Sequence, residues 1–121
     1  MTVTNTVQHS PAIPCSMLGT FNLRGNADLK SFRSAFDALC AHLRRKGHLQ
    51  SWRLWQRAYH PGYDANFPET SIIIEMCFHN HDEALECWDY FETGGDTVNP
   101  LHRAVNSKVC DAHFVLCVQM P

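Results

Sequence analysis

The spacing of apolar residues changes along this chain, and the change constrains the fold more than any other feature of the sequence. In residues 29–43, leucine, phenylalanine and alanine recur at the spacing of an amphipathic helix. A second stripe of this kind covers residues 81–93. Four further segments alternate as half-buried strands do: 15–23, 49–59, 70–78 and 109–119. The periodicity therefore predicts the element order β-α-β-β-α-β.

Residues at the helix ends agree with these boundaries. Asp28 precedes the first helix, where a carboxylate suits the positive helix end, and Gly47 follows it as a C-terminal cap. Asn80 precedes the second helix and Glu83 follows three residues later, which is the pattern of a capping box. A short helical segment is expected at about residues 98–107.

This element order predicts one fold class. Each helix joins two strands, so two right-handed crossovers produce a four-stranded antiparallel sheet with both helices on one face. This is a ferredoxin-like α+β domain. With 121 residues, the chain has room for a single core. We assign that domain to residues 15–121 and expect residues 1–14 to form a flexible N-terminal lead.

Composition excludes several function classes. Twelve acidic and ten basic side chains give a net charge of −2, so the chain has no basic surplus for binding nucleic acid. No apolar run approaches the roughly 20 residues of a membrane helix. Residues 1–14 lack the pattern of a secretory signal, and the six cysteines form no Cys-x-x-Cys pair. We therefore expect a cytoplasmic protein with reduced thiols and neither nucleic-acid nor membrane partners.

The sheet face that the helices leave uncovered, called the open face below, is unusually mixed. The open face is predicted to carry Leu18, Thr20, Arg53, Trp55, Arg57, Tyr59, Ile73, Glu75, His113, Val115 and Cys117. A sheet face in contact with water should be plainly polar, whereas this one combines aromatic, aliphatic and charged groups. Because most oligomers are closed and symmetric, we predict a homodimer that forms through the open face.

Three sequence features together resemble a known family. They are the run Gly47-His48-Leu49-Gln50-Ser51-Trp52-Arg53-Leu54, Glu75 in an isoleucine-rich strand, and Leu101-His102-Arg103-Ala104-Val105-Asn106 before a strand with Phe114. This pattern, over roughly residues 17–119, is similar to a small bacterial family of unknown function in the dimeric α+β barrel group. The resemblance implies the ferredoxin-like fold and a dimer. It leaves the chemistry open, because the group includes heme-binding enzymes, cofactor-free monooxygenases, isomerases, cyclases and small-molecule sensors.

Charged residues on the open face are the first candidates for ligand binding. Arg53 and Arg57 lie four residues apart on one strand face, about 13 Å from each other. Glu75, on the adjacent strand, can pair with one arginine and leave the other to hold an anionic ligand. The alternative is a structural ion pair within the dimer interface.

Two aromatic residues flank these arginines. Trp55 and Tyr59 offer flat rings with polar tips, which could form walls around an aromatic ligand. Packing in a dimer interface is the alternative that we favour for them, because aromatic residues and arginine are both enriched there.

Two histidines are candidates for chemistry. His113 is expected on the open face, where it could act with Glu75 as a general base. His102 begins the short helix and is expected to cover one end of a ligand cleft. Either could be the axial ligand of a heme, but nothing in the sequence requires a cofactor. The alternatives are a buried interface histidine and an exposed one.

Metal and thiol chemistry are less well supported. His79 and His81 could share one side of an extended segment, but no third ligand follows from the spacing, so a metal site stays open. Cys77 and Cys117 are expected on the open face without an activating partner.

These observations lead to two hypotheses. The first is a homodimer that binds a small organic ligand, anionic or aromatic, in a cleft at the sheet face. Its ligand-binding residues would be Arg53, Trp55, Arg57, Tyr59 and His102, and its catalytic residues His113 and Glu75. The reaction would be a cofactor-free oxygenation, isomerisation or cyclisation. The alternative is a non-catalytic module for ligand sensing or protein assembly.

Overall fold

A computed structural model describes residues 13–121. The prediction of a flexible lead over residues 1–14 therefore lies outside the described residues except at its last two positions. The strands are β1 (Cys15–Leu23), β2 (Ser51–Gln56), β3 (Ile72–Phe78) and β4 (Val109–Val118). The helices are α1 (Leu29–Arg45), α2 (His81–Thr93) and α3 (Asn99–Asn106), with a short 3₁₀ turn, Gly95–Thr97, between α2 and α3.

The predicted fold class is confirmed. The four strands form one antiparallel sheet in the order β2-β3-β1-β4, and the two long helices follow β1 and β3. This is the ferredoxin-like α+β topology. Strand β2 is shorter than the predicted segment 49–59, because the chain leaves the sheet after Gln56 and enters a loop. Strand β3 begins at Ile72 rather than at residue 70.

The helix caps follow from the residues at the ends. The Asp28 carboxylate accepts a hydrogen bond from the Ser31 amide, and the Asn80 side chain accepts one from the Glu83 amide at 2.9 Å. The Glu83 carboxylate reaches back to the His79 amide, one residue before the position that a capping box uses. Gly47 has a φ of +80°, the left-handed conformation that ends a helix most readily with glycine.

The core lies between the sheet and the helices. In β3, Ile72, Ile74, Met76 and Phe78 are buried, while the residues between them are partly exposed. From α1, Phe32 contributes a ring whose centroid lies 5.1 Å from that of Phe21 in β1. The predicted assignment of the apolar face to the helix side is therefore confirmed in β3.

A bulge near the start of β4 changes the register of the sheet. Thr20 lies opposite His113 and Asn22 lies opposite Cys110, so one extra residue of β4 is accommodated between these two pairs. Asp111, within the bulge, has a φ of +56°. Because of the extra residue, His113 lies in the open-face row of Thr20, whereas Val109 lines a cavity on the helix side.

Removal of the α2 cap tests the local stability of this helix. We expect Asn80→Ala to lower the free energy of unfolding by about 1 kcal/mol, because the Glu83 amide loses its acceptor. Asn26→Ala is the matched control, since Asn26 is exposed in a turn. Chemical denaturation of both variants measures the difference; equal stabilities would contradict the assigned role of the cap.

Candidate functional site

A cavity of about 850 Å³ lies on the helix side of the sheet. Strands β1, β3 and β4 form one wall, and α1, α2 and α3 form the other. Most of the lining is apolar; Met17, Ile74 and Phe114 come from the sheet, and Ala84 and Trp88 from α2. The volume is within the range of sites for small organic molecules.

Gly19 shapes the sheet wall of the cavity. Gly19 lies opposite Phe114 in the pairing of β1 with β4. A Cβ atom at this position would lie 2.7 Å from two atoms of the Phe114 ring and 3.1 Å from the Ile74 side chain. The ring can therefore pack against the backbone of β1 only because residue 19 has no side chain.

The polar groups of the cavity come from α2 and α3. They are Glu92, His102 and Asn106. His102 and Asn106 lie four residues apart on one face of α3, and Asn106 Nδ2 lies 3.1 Å from His102 Nε2. Because an amide nitrogen only donates, Nε2 accepts this bond and the imidazole proton resides on Nδ1. The site thus contains one oriented imidazole beside two other polar side chains, in a lining that is mostly apolar.

The surroundings of His102 favour its neutral form. Burial lowers the pKa of this imidazole below the ordinary histidine value of 6.5. The Phe91 ring packs on it with a centroid distance of 4.3 Å. In this neutral state the imidazole can donate a hydrogen bond from Nδ1, and Nε2 becomes a proton acceptor when the Asn106 amide turns away.

Arg53 and Glu75 form an ion pair on the open face. They are direct cross-strand partners, and Arg53 Nη1 lies 3.6 Å from Glu75 Oε1. The Arg53 side chain is 64% exposed. An exposed pair of this kind contributes little to the stability of a single chain.

Arg57 is engaged within its own loop. Its Nη1 donates to the carbonyls of Pro68 and Thr70, at 2.6 and 2.8 Å, and Nε lies 3.6 Å from the Asp64 carboxylate. The side chain is only 6% exposed. Its guanidinium therefore holds the loop together in the described structure.

Trp55 and His113 lie on the open face, whereas Tyr59 lies in the loop after β2. Trp55 is 51% and Tyr59 is 69% exposed, and the Tyr59 ring packs against the Arg57 guanidinium. His113 is exposed beside Thr20. It does not meet Glu75, because β1 lies between their strands and Glu75 pairs with Leu18 instead.

The structure therefore divides the predicted site residues among the cavity, the open face and the loop after β2. His102 lines the cavity, Arg53, Trp55, Glu75 and His113 belong to the open face, and Arg57 and Tyr59, predicted on the open face, lie in the loop because β2 ends at Gln56. The sequence analysis did not identify Asn106, although its spacing from His102 on a predicted helix was a usable signal. It also could not identify Val109, because the bulge at Asp111 determines which way that residue points.

Metal and thiol sites receive no support from the described part of the chain. Within residues 13–121, no group of three or more His, Cys, Asp or Glu side chains is arranged to hold a metal ion. All six cysteines are free. Cys87 lines the cavity, but burial raises its pKa to about 12, so the thiol stays protonated at neutral pH. Among the described helices, none combines the length and apolar character needed to cross a membrane.

Solved structures share the fold at low sequence identity. SnoaB, a cofactor-independent oxygenase from Streptomyces nogalater, was solved as a variant and is 14% identical, with a TM-score of 0.65 over 91% of this chain and 96% of that chain. A hydroxynitrile lyase from Passiflora edulis is 10% identical, with the same coverage and TM-score. A dimeric protein of unknown function and ferredoxin-like fold from Bacteroides fragilis is 10% identical, with a TM-score of 0.52 over 88% of this chain and 96% of that chain.

The sequence itself identifies the family. Among curated proteins, no relative is detected by sequence comparison. The model of a family of unknown function, DUF6614, matches residues 17–121, and this confirms the resemblance found in the sequence. The chain therefore belongs to this family of unknown function and has the ferredoxin-like α+β fold.

Proposed function

We propose that this chain is a homodimeric enzyme that binds a small, largely apolar organic molecule in the cavity and transfers a proton to or from it through His102. The observation that carries the proposal is a cavity of about 850 Å³ with one neutral, oriented imidazole in its wall. The names of two proteins with the same fold, a cofactor-independent oxygenase and a hydroxynitrile lyase, support an enzymatic role.

The lining favours a neutral ligand over an anionic one. Among the described residues, no lysine or arginine lines the cavity, and Glu92 adds a carboxylate near its polar end. An anion there would lose its hydration without gaining a cationic partner. The expected ligand is therefore an aromatic or aliphatic molecule with a single polar group, such as a phenol or a ketone, directed at His102.

Proton transfer is the chemistry that suits this environment. A histidine whose pKa is lowered by burial is already neutral near neutral pH, and its Nε2 can accept a proton from an acidic O–H or C–H group once the Asn106 amide turns away from it. The hydrogen bond from Asn106 fixes the ring. The Phe91 ring restricts water on one side of the imidazole.

The open face is better suited to dimerisation than to catalysis. Its exposed Trp55 and Val115 and its Arg53–Glu75 pair are the types of group found in protein interfaces. The dimeric state of the Bacteroides fragilis protein supports a dimer, without identifying the surface that forms it. The roles of His113 and Glu75 in catalysis, and of Arg53, Trp55, Arg57 and Tyr59 in ligand binding, stay predictions.

Catalysis can be tested without knowing the natural substrate. Neutral aromatic ketones and phenols are incubated with the protein in D₂O, and exchange of C–H for C–D is followed by NMR. We expect exchange with the wild-type protein and its loss in His102→Gln. Binding without exchange for every compound would contradict an enzyme and favour the alternative of a ligand-sensing module.

The cavity can be tested with a neutral fluorescent probe, phenylnaphthylamine. Leu116 lines the cavity and is 40% exposed, so Leu116→Asp should fold and weaken binding of the probe by about tenfold. Val118→Asp is the matched control, because Val118 lies on the same strand, is 55% exposed and does not line the cavity. Fluorescence titration compares the two; equal effects would contradict binding in this cavity.

The protonation state of His102 predicts a pH dependence. Because its folded pKa lies below the ordinary value of 6.5, the unfolded chain binds the proton more readily. The free energy of unfolding should therefore fall as the pH drops below about 6.5, and it should fall less in His102→Gln. Denaturation at several pH values, with an NMR titration of the imidazole, measures both quantities. A pKa of His102 at or above 6.5 would contradict this account.

Dimerisation through the open face predicts the effect of a charge at Trp55. We expect Trp55→Asp to shift the protein from dimer to monomer in analytical ultracentrifugation, because a carboxylate would be buried against the partner. Leu29→Asp is the control, since Leu29 is 39% exposed at the start of α1 and far from the sheet face. A Trp55→Asp variant that stays dimeric would assign the interface to another surface.

A further inference from the structure

The cavity lacks an outer wall along β4. Phe114 and Leu116 line it from the sheet, yet they are 59% and 40% exposed. Val115, on the other face of the same strand, is 54% exposed. Strand β4 is also an edge strand of the sheet, and a long apolar edge strand readily accepts another chain. Within residues 13–121, therefore, the side chains on both faces of β4 and its outer edge stay exposed to solvent.

The loop between β2 and β3, residues 57–71, folds over one end of the open face. Buried Thr70 contacts the hydroxyl of Thr20, an open-face residue of β1. Ser71 donates from its amide to the Asn22 side chain at 3.0 Å, and Asn22 donates to the Glu69 carbonyl at 2.8 Å. These bonds fix the C-terminal end of the loop to β1.

Arg57 stabilises the same loop through contacts with other loop residues. Its guanidinium bonds two loop carbonyls and lies 4.8 Å from the centroid of the Tyr59 ring and 4.9 Å from that of Phe67. Farther along the loop, the Asp64 carboxylate accepts a hydrogen bond from the His60 amide at 2.8 Å. The loop therefore holds its shape before any partner binds, which lowers the entropic cost of an interface.

The aromatic residues of this ordered loop face outwards. Tyr63 is 91% exposed, Tyr59 is 69% exposed and Phe67 is 43% exposed. Exposed tyrosines on a preorganised loop are typical of residues that dominate the binding energy of an interface. Because Thr70 of the loop contacts Thr20 on the open face, a second sheet stacked on that face would lie beside the loop.

The strand order indicates where the loop would make contact. The edges of the sheet are β2 and β4. When two sheets stack about a twofold axis parallel to their strands, β2 of one copy lies over β4 of the other. This arrangement brings the unpaired edges together, which protects both of them. The loop that follows β2 then arrives beside β4 of the partner.

We propose that the loop of residues 57–71 from a second copy of this chain packs along β4 and forms the missing outer wall of the cavity. Each ligand site would then be built by two chains, and ligand binding would strengthen the dimer. The inference rests on the proposed function, because it concerns the same cavity. It adds that Tyr63 of one copy forms part of the wall of the cavity in the other copy.

The first test is Tyr63→Ala. Because this side chain is 91% exposed, its removal should leave the fold intact. We expect the affinity of the dimer and the affinity for phenylnaphthylamine each to fall by about tenfold. Leu29→Ala, at an exposed apolar position away from the sheet, should change neither quantity. Unchanged dimer and probe affinities in Tyr63→Ala would overturn the proposal.

The second test decides whether the loop acts on its own cavity or on that of its partner. Chains with Tyr63→Ala are mixed with chains carrying Leu116→Asp. In a mixed dimer, the intact cavity of the first chain meets the intact loop of the second, so high-affinity binding of the probe should return in one site of each mixed dimer. No recovery would overturn the proposal. If the wild-type protein binds no probe, the proposed function fails as well; if the wild-type dimer binds the probe and Tyr63→Ala binds it equally well, only this inference fails.

Discussion

The structure depends on how far its helices reach across the sheet. Helix α1 packs against β2, and α2 packs over β1 and β3, but within residues 13–121 no helix packs closely against β4. The apolar side chains of β4 on the helix side therefore border a space instead of a filled core. The cavity, the exposure of Phe114 and the unprotected edge of β4 all result from this incomplete covering of the sheet by the helices.

Much of the fold could be predicted from the sequence because local signals agree with one another. The alternation in β3 and the stripe in α1 each have one apolar face, and the caps at Asp28 and Asn80 mark the helix starts. The bounds of β1 and α2 agree with the predicted ones. Consistency of this kind across levels is what allows a sequence to specify one topology.

The site was harder to predict because it depends on contacts between distant segments. Arg57 has the same alternation as Arg53, and only the loop carbonyls of Pro68 and Thr70 show that its guanidinium is occupied. The ligand site was predicted on the open face because the charged residues of that face can be recognised from the sequence. The cavity on the helix side is formed by ordinary core residues, which a pattern cannot distinguish from a filled core. Among the predicted site residues only His102 lines this cavity, although it was expected at one end of a cleft at the sheet face.

The contact between Gly19 and Phe114 has a consequence for how ligand size could diverge among related chains. The missing methyl group at residue 19 lets the aromatic ring pack close to the backbone of β1 instead of being displaced into the cavity. An alanine at this position would push the ring outwards into that space, since the ring is the most movable of the atoms that the new group would meet. A change of one codon would thus resize the cavity while leaving every polar group in place. Were the cavity to hold a ligand, selection for smaller or larger molecules could act through this pair of residues without altering His102 or Asn106.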